Sequence, residues 1–276
     1  MARHTRWEHP TLGPLTDDRL TVDYRVWQRK HGHRFSSDDV VTAFMAHQAL
    51  PAPSTHIDLG TGLGSVLLLL AWKNQEVRSV GIEAQLTSFT LLLENVARNH
   101  LAHRVRTVFG DLREPEVLAQ ATEGFGTFEL VTGTPPYFPP GKASDARDRQ
   151  RTLARIEERG GVEAYIDSAC KVLSPSGTFV LCGDSRAESR VRAHLAATPL
   201  SLVSQCDVIP RFGRPALFSV WTIRWRDAVP PTEANPLQRS AQVAPLNTFT
   251  LRDVDGSPTP DAARLRVFSG FDKPDL

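Results

Sequence analysis

Residues 56–72 read HIDLGTGLGSVLLLLAW, a glycine-rich turn between a short strand-like segment and a long apolar run. Gly60, Gly62 and Gly64 permit a tight turn from strand to helix and a close approach of the backbone to a ligand. Their G-x-G-x-G spacing differs from the G-x-G-x-x-G of dinucleotide-binding turns. Because a glycine turn that only packs a helix on a strand would look similar, this stretch alone predicts a strand–turn–helix unit.

Acidic residues follow the next two predicted strands. Residues 77–82 alternate as a strand and end at Glu83, 25 positions after Asp58. A carboxylate there can accept two ribose hydroxyls, although an ordinary strand-end charge is the alternative. Residues 105–109 form a third strand that runs into Gly110 and Asp111. The carboxylate of Asp111 would either accept from an adenine amino group or cap the short helix that follows.

A fourth strand over residues 128–133 leads into Thr134, Pro135, Pro136 and Tyr137. Two consecutive prolines fix φ near −65° and remove two backbone donors, so the carbonyls before them have no sheet ladder to join. The flat ring of Tyr137, beside carbonyl groups that are free to accept hydrogen bonds, suits the binding of a planar amine. A lone turn of this kind is more often a surface turn, but the glycine turn upstream favours a ligand site. Since open α/β sheets bind ligands at the carboxyl ends of their strands, we expect all four strand ends to share one site.

The alternation of strands and helices over residues 51–184 predicts a mostly parallel sheet with helices on both faces. Two further strands would pair as an antiparallel edge. The fold class is therefore α/β, with a seven-stranded Rossmann-like sheet. Strands are predicted at 56–59, 77–83, 105–109, 128–133, 178–183, 200–209 and 216–226, and helices at 64–73, 86–101, near 114–121, 161–173 and 186–197.

The rest of the chain is expected to pack on this core, without a second domain. Residues 1–50 are a polar lead-in and then a helix over 37–50, capped by Ser36 or Ser37, and this segment would lie over the ligand site. Residues 51–226 would form the α/β domain. Residues 227–276 would be a loop-rich extension with a proline-rich segment, one strand near residue 249 and a short helix over 261–268.

The charge is nearly balanced overall but uneven along the chain. A net charge of +1 gives no overall field that would attract nucleic acid. Residues 1–36 nevertheless hold seven Arg and Lys against four acids, and residues 142–159 hold six against four. Both excesses flank the predicted site in sequence. Each fits either a solvated face or contacts with phosphates.

Several classes of protein are disfavoured by composition. The three cysteines form no C-x-x-C pair, so they fit small buried residues in a reducing compartment, and no metal site is expected. There is no apolar stretch of 18 residues and no apolar leader at the N-terminus. We therefore expect no membrane span and a cytoplasmic location. The sequence does not determine the oligomeric state, and a monomer is the working expectation.

Together these motifs resemble those of class I S-adenosylmethionine-dependent methyltransferases, in particular the amino-methylating branch with its (N/D/S)-P-P-(Y/F/W) motif. More closely, the chain resembles the bacterial tRNA (adenine-N6)-methyltransferases that act on a valine tRNA. Their N-terminal pattern, an acid-rich turn, a glutamine and then G-Y-R-F-S-x-D, is matched at residues 16–20, Gln28 and residues 32–38. Their Arg-x-Glu has a counterpart at residues 155–157, and their C-terminal pattern is echoed at residues 253–259 and Phe268.

The resemblance implies a role for each site residue. S-adenosylmethionine would bind the turn formed by Asp58, Gly60, Thr61, Gly62 and Gly64. Glu83 would hold its ribose and Asp111 its adenine amine, while Arg34 and Phe35 would close the site from the N-terminal side. The catalytic turn would be Thr134, Pro135, Pro136 and Tyr137, with acceptors for the target amine from Thr134 and Pro135 and a stacking ring from Tyr137.

Thr134 departs from the family, which has asparagine at this position. In the family, the asparagine oxygen and the carbonyl of the first proline accept the two N–H bonds of the target amine. A threonine hydroxyl still accepts but is shorter, and since a neutral hydrogen bond contributes roughly 0.5–1.5 kcal/mol, slower transfer is expected rather than none. The resemblance implies methylation of adenine N6 in tRNA. A methyltransferase for another amine or nucleophile, and a relative that binds cofactor or RNA without catalysis, remain open alternatives.

Overall fold

The computed structural model describes residues 6–137, 150, 156–157, 160–228 and 246–271. Over these residues the chain forms eleven strands and seven α-helices. The strands are β1 Arg6–His9, β2 Gly13–Arg19, β3 Arg25–Arg29, β4 Thr55–Leu59, β5 Arg78–Glu83, β6 Val105–Phe109, β7 Phe128–Gly133, β8 Leu173–Asp184, β9 Leu200–Ile209, β10 Phe218–Trp225 and β11 Leu246–Thr250. The helices are α1 Ser37–Ala49, α2 Ser65–Lys73, α3 Leu86–Arg98, α4 Pro115–Thr122, α5 Val162–Val172, α6 Glu188–Ala196 and α7 Pro260–Phe268.

The main sheet confirms the predicted α/β class. Its strand order is β11-β9-β10-β8-β7-β4-β5-β6. Strands β4 to β8 are parallel to their neighbours in this set, and β10 runs antiparallel to both β8 and β9. No helix in the described part of the chain has both the length and the apolar character needed to cross a membrane.

Two apolar layers cover the two faces of this sheet. Side chains of a strand alternate between faces, and β8 follows this rule. Val180 and Cys182 pack with α1, α2 and α3 on one face, whereas Phe179 and Leu181 pack with α4, α5 and α6 on the other. Because both faces are covered, the central strands read as continuous apolar runs in the sequence.

The prediction of seven strands in the sheet is wrong, because the sheet has eight. The additional strand is β11, which lies in the C-terminal extension and pairs in parallel with β9, from Leu246 opposite Gln205 to Thr250 opposite Ile209. Phe249 in this strand is buried, and its ring lies 5.8 Å from that of Phe44. The sequence predicts a strand here, but it does not predict that the strand joins the main sheet, because this depends on packing between Phe249 and the distant Phe44.

The N-terminal segment was also predicted incompletely. It is not only a polar lead-in, because β1, β2 and β3 form a separate antiparallel sheet. Few of its side chains are apolar and inward-facing, Leu15 and Val26 among them, so the alternation is hidden by charged neighbours. The helix that follows begins as expected: Ser36 is the N-cap of α1, and the Asp39 carboxylate accepts from the Ser36 N–H at 2.8 Å.

Asn95 of α3 and Asn99, the C-cap residue of that helix, attach this small sheet to the α/β core. Asn95 Oδ1 accepts from the Trp27 N–H at 2.6 Å, and Asn99 Oδ1 accepts from the Arg25 N–H at 3.0 Å. Their amide groups donate back to the carbonyls of the same two residues, at 3.2 and 2.8 Å. Asn95 also donates to the Leu63 carbonyl in the glycine turn, at 3.0 Å. Amide side chains one helical turn apart therefore pair with alternate residues of β3, as a neighbouring strand would.

Replacing Asn95 by alanine is expected to lower the free energy of unfolding by about 2 to 4 kcal/mol, because it leaves several backbone groups without partners in a buried place. Urea denaturation measures this change. The control is Leu93→Ala on the same helix, where the side chain is 46% exposed and a loss below about 1 kcal/mol is expected. Equal small losses for both variants would contradict the role assigned to Asn95.

Candidate active site

Four strand ends meet at one edge of the main sheet, and a pocket opens there. Strand β4 lies between β5 and β7. Helix α2, which follows β4, covers one face of the sheet, and α5, which leads into β8, covers the other, and such a switch point is where open α/β sheets form ligand crevices. The space amounts to about 810 Å³ including its open mouth. It is lined by His33, Phe35, Asp39, Gly60, Thr61, Gly62, Leu63, Ser65, Ile82, Glu83, Ala84, Gln85, Ser88, Gly110, Asp111, Leu112, Thr134, Pro136, Gly160 and Tyr165. The glycine turn and the Pro-Pro turn therefore face the same pocket.

Gly60 and Gly62 share a backbone conformation that favours glycine, but their surroundings differ. Both have positive φ, +65° and +61°. A Cβ on Gly60 would meet the Tyr165 hydroxyl at 2.1 Å, so this position is closed by a neighbouring side chain. Around Gly62 there is nothing within 4 Å of such a Cβ, so the backbone there is open to a ligand. Gly64, the third glycine, is the residue before α2.

Asp58 lies beneath the pocket and is not among its lining residues. It is buried, and its two carboxylate oxygens accept from the hydroxyls of Thr61 at 2.5 Å and Thr132 at 2.6 Å. Burial raises the pKa of Asp58 to about 6, and the hydrogen bonds from Thr132 and Thr61 limit this rise. Since Thr61 is in the glycine turn and Thr132 precedes the Pro-Pro turn, Asp58 joins the two turns that face the pocket.

A buried histidine completes this network. The Thr132 hydroxyl gives its hydrogen to Asp58, so its oxygen accepts from His56 Nε2 at 2.8 Å. The other ring nitrogen of His56 then accepts from Ser79 Oγ at 3.4 Å. Burial lowers the pKa of His56 to about 3, which keeps the ring neutral. Sequence reasoning missed this network, although polar residues inside an apolar, doubly covered strand are the signal that could have revealed it.

Glu83 and Asp111 both line the pocket, as expected from their places after β5 and β6. Glu83 accepts from the N–H groups of Gly62 at 2.9 Å and Gln85 at 2.6 Å. A carboxylate offers about four acceptor positions, so Glu83 can also accept from a ligand. The Asp111 carboxylate accepts two hydrogen bonds from the Arg113 guanidinium, at 2.9 and 2.7 Å. The alternative that Asp111 caps the next helix is wrong, because Glu114 is the N-cap of α4.

The Pro-Pro turn contributes Thr134 and Pro136 to the lining, while Pro135 is buried. Tyr137 is not among the lining residues. Its hydroxyl donates to Asp38 Oδ2 at 2.9 Å and lies 3.1 Å from Cys182 Sγ. Burial, with Cys182 and Asp38 close by, raises the pKa of Tyr137 well above its usual value. These contacts fasten the turn to α1 and β8, and stacking of Tyr137 on a substrate stays a prediction.

The N-terminal motif places Phe35 at the pocket and keeps Arg34 behind it. Arg34 donates to Thr16 Oγ1 at 2.7 Å and Asp18 Oδ2 at 2.9 Å. Gln28 donates to Asp18 at 3.1 Å and accepts from the Phe35 N–H at 2.8 Å. Burial alone would raise the pKa of Asp18, but hydrogen bonds from Thr16 and Arg34 hold it below the usual value. Arg34 therefore supports the segment that carries Phe35, and direct contact between Arg34 and a cofactor stays a prediction.

The basic excess of residues 1–36 is partly used inside the protein. Besides the Arg34–Asp18 pair, Arg25 pairs with Asp17 at 2.7 Å, and Arg29 donates to the Leu12 carbonyl. Most of the second basic stretch, residues 142–159, lies outside the described residues, as does Arg155 of the Arg-x-Glu match. Within the described parts of the chain, no group of three or more His, Cys, Asp or Glu side chains could hold a metal ion.

The pocket is acidic, and this property was not predicted from the sequence. Asp39, Glu83 and Asp111 line it, and the described lining residues include no Lys or Arg. Asp39 accepts from Ser65 Oγ at 2.8 Å, and burial together with the neighbouring Asp38 raises its pKa to about 7. Tyr165 also lines the pocket, next to Gly60, and was missed because its position on α5 reads as core. The Glu83 carboxylate, and Asp39 where it is ionised, favour a cation over a phosphate, whereas the charge of Asp111 is offset by Arg113.

Comparison with known proteins finds sequence relatives that share one name. No family model matches the chain. The chain is 30% identical over 172 residues to a tRNA1(Val) (adenine(37)-N6)-methyltransferase from Porphyromonas gingivalis, covering 61% of this chain and 66% of the relative. It is 31% identical over 163 residues to the enzyme of that name from Actinobacillus succinogenes, covering 58% and 64%.

The resemblance predicted from the sequence is confirmed. The chain spans just under two thirds of the length of these curated relatives. Among solved structures, a predicted O-methyltransferase from Agrobacterium tumefaciens has a TM-score of 0.57 at 14% identity, covering 85% of this chain and 97% of that one. The fold is therefore that of the Rossmann-like methyltransferases, as expected.

The buried Asp58 gives a prediction for the pH dependence of stability. Its pKa rises from 3.8 to about 6 on folding, so between these values the native state binds more protons than the unfolded chain. The contribution of this group to the free energy of unfolding therefore falls as the pH rises from about 4 to about 7. Asp58→Asn lacks this titration. Its free energy of unfolding relative to the wild type should rise by about 2 to 3 kcal/mol over that range. Urea denaturation at a series of pH values measures the difference, and a constant difference would contradict the burial argument.

Proposed function

We propose that this protein transfers a methyl group from S-adenosylmethionine to the N6 amine of an adenine in tRNA. The observation that carries the proposal is that the glycine turn and the Pro-Pro turn line one pocket. A cofactor held on one turn would thus face an amine held on the other. The adenine-N6 chemistry comes from the names of the curated relatives, because the Pro-Pro turn by itself supports nothing more specific than a planar amine as the acceptor.

The residues present fit S-adenosylmethionine better than a phosphate-bearing cofactor. When bound, S-adenosylmethionine supplies a methyl group on a positively charged sulfur. The carboxylate of Glu83, with Asp39 where it is ionised, would favour that charge, and no described lining residue is a Lys or Arg that could pair with a phosphate. The open backbone at Gly62 would allow close approach. Glu83 would hold the ribose and Asp111 the adenine amine, with the adjacent turn fixed by Thr61 and Asp58.

The residues of the chain would act mainly by positioning. Thr134 lines the pocket, and within the described residues its hydroxyl makes no hydrogen bond, so it is available to a target amine. The Pro135 carbonyl would be the second acceptor. Holding both reactants in a productive orientation removes most of the entropic cost of their encounter, so no strong base is required. The methylated amine would lose its proton to solvent.

The substrate is proposed to be tRNA, in the cytoplasm where tRNA is found. If so, wild-type protein with methyl-labelled S-adenosylmethionine should label a tRNA fraction, and not matched DNA, protein or metabolite fractions. Labelling of another fraction would favour a different amine or nucleophile as acceptor. Cofactor affinity without labelled product in any fraction would favour a binding protein that has lost catalysis.

Variants of Thr134 provide the matched controls for this measurement. Thr134→Val keeps the shape but removes the acceptor, so kcat should fall by about 2- to 10-fold, the equivalent of one neutral hydrogen bond, with cofactor affinity unchanged. Thr134→Asn restores the residue found in the family and should raise kcat. A fall in cofactor affinity for Thr134→Val would instead place this residue on the cofactor side of the pocket.

The role of Glu83 can be separated from its structural hydrogen bonds. Glu83→Gln should weaken S-adenosylmethionine binding, measured by calorimetry, by about 10- to 100-fold, because hydrogen bonds to a charged acceptor contribute about 1.5–3 kcal/mol. The discriminating test uses a cofactor analogue without the ribose 2′-hydroxyl. Wild-type protein should bind it more weakly than the parent compound, and Glu83→Gln should bind the two nearly equally. If the variant discriminates between them as strongly as the wild type does, Glu83 does not hold the ribose.

A further inference from the structure

The tip of the β9–β10 hairpin lies at the same edge of the sheet as the pocket. Strand β10 begins at Phe218, which is paired with Asp184 at the end of β8, and β8 is parallel to β7. Residues 210–217 therefore leave the sheet at the edge where β7 leads into Thr134. Only β8 lies between β7 and β10 in the sheet. At a strand spacing of about 4.8 Å, the hairpin begins roughly 10 Å across the sheet from the end of β7.

This hairpin tip, defined here as residues 211–214, presents an aromatic ring between two cationic side chains. Phe212 is 64% exposed, and Arg211 and Arg214 are exposed on either side of it. The turn is closed by a hydrogen bond from the Arg214 N–H to the Arg211 carbonyl at 3.0 Å, and Gly213 has a φ of +75°. Within the described residues, the Arg214 guanidinium has no carboxylate within 4.0 Å, so its charge is available to a partner.

The hairpin tip is held in place by neighbours on the same edge. The Phe212 N–H donates to the Arg252 carbonyl, and the Leu217 N–H donates to the Val208 carbonyl, both at 2.8 Å. Ser185 Oγ donates to the Ala216 carbonyl at 2.9 Å. The ring is therefore exposed on a fixed backbone. A binding group on a rigid element loses little conformational entropy when it meets a partner.

The carboxylates of the pocket favour a separate binding surface for the phosphates of RNA. RNA is a polyanion, and its affinity comes largely from the neutralisation of phosphates by Arg and Lys. Three carboxylates line the pocket, of which Asp111 is paired with Arg113, and no described lining residue is a Lys or Arg. The pocket can thus accept a base but repels the phosphates that flank it. Cationic residues outside the lining and on the same edge would be placed to meet those phosphates.

We propose that the hairpin tip binds the single-stranded RNA next to the target base, with Phe212 stacking on a neighbouring base and Arg211 and Arg214 contacting phosphates. The inference rests on the proposed function. Arginines interleaved with an aromatic ring are the chemistry that binds single-stranded nucleic acid, because every base offers a face for stacking. A protein partner would also use Phe and Arg. The position beside a pocket for a nucleobase favours RNA.

The experiment measures tRNA affinity and salt dependence for variants of the hairpin tip. Phe212→Leu keeps an apolar side chain but removes stacking, and should weaken tRNA binding by about 5- to 150-fold. Phe212→Trp keeps stacking and should bind within about threefold of the wild type. The double variant Arg211→Ala with Arg214→Ala should reduce the slope of log K against log salt by about 1.4, since each phosphate contact on a single strand contributes about 0.7.

The matched control removes two exposed charges from the opposite edge of the sheet. Arg78 starts β5, and Lys171 lies at the end of α5, directly before the start of β8. The double variant Arg78→Ala with Lys171→Ala should leave the tRNA affinity and the salt slope nearly unchanged. All variants should keep the cofactor affinity and melting temperature of the wild type, because the substituted side chains are exposed.

The experiment distinguishes a failure of the hairpin proposal from a failure of the proposed function. If wild-type protein methylates tRNA but both hairpin variants bind and methylate it as the wild type does, the hairpin tip is not the RNA surface. The same conclusion holds if the Arg78/Lys171 control loses as much salt slope as the hairpin double variant. If wild-type protein neither binds nor methylates any RNA, the proposed function itself fails. A protein captured by the wild type and lost with Phe212→Leu, with tRNA affinity unchanged, would assign the hairpin tip to a protein partner instead.

Discussion

The carboxylate of Asp58 is the contact on which the geometry of the pocket depends. It is 1% exposed, and its oxygens accept from Thr61 in the glycine turn and from Thr132 in β7, just before the Pro-Pro turn. A buried carboxylate is costly unless its oxygens are satisfied, so this arrangement is stable only while Thr61 and Thr132 keep their positions. The adjacency of β4 and β7 brings the two turns to the same edge, and Asp58 then fixes their relative positions.

The charge of this edge is divided between two surfaces. Carboxylates line the pocket, whereas the exposed guanidinium groups lie on the hairpin tip, beyond β8. A cationic cofactor and an anionic polymer would compete for any single surface of one sign. For the proposed ligands, separation would let each surface match one of them, and the base of the proposed substrate, which carries no charge of its own, would be the part that reaches from the hairpin to the pocket. Electrostatic attraction to the hairpin would therefore speed encounter with RNA without weakening the cofactor site.

The sequence predicts the parts of the site that lie at strand ends, because strand periodicity and glycine spacing are local properties. Gly62, Glu83, Asp111 and Thr134 all line the pocket for this reason. Tyr165 could not be predicted, since its place on α5 has apolar periodicity and only the packing of α5 on β4 and β7 brings its hydroxyl to Gly60. The small N-terminal sheet was missed for a related reason: it is fastened by the amides of Asn95 and Asn99, whose partners lie 68 and 74 residues away.

Contacts with distant residues also explain why the identity of residue 134 matters, because they hold the Pro-Pro turn in place. The Pro-Pro turn cannot shift easily toward a substrate, because Tyr137 is fastened to Asp38 and Cys182 on one side, and Thr132 is fastened to Asp58 on the other. A threonine in such a turn cannot compensate for its shorter reach by movement of the backbone. The substrate would have to approach the hydroxyl instead. Misalignment would then slow the transfer step, because that step depends on the relative positions of the two reactants. In the proposed reaction, the rigidity of the turn would therefore convert a small difference in side-chain length into a difference in the rate of transfer, while cofactor binding on the glycine turn would be unaffected.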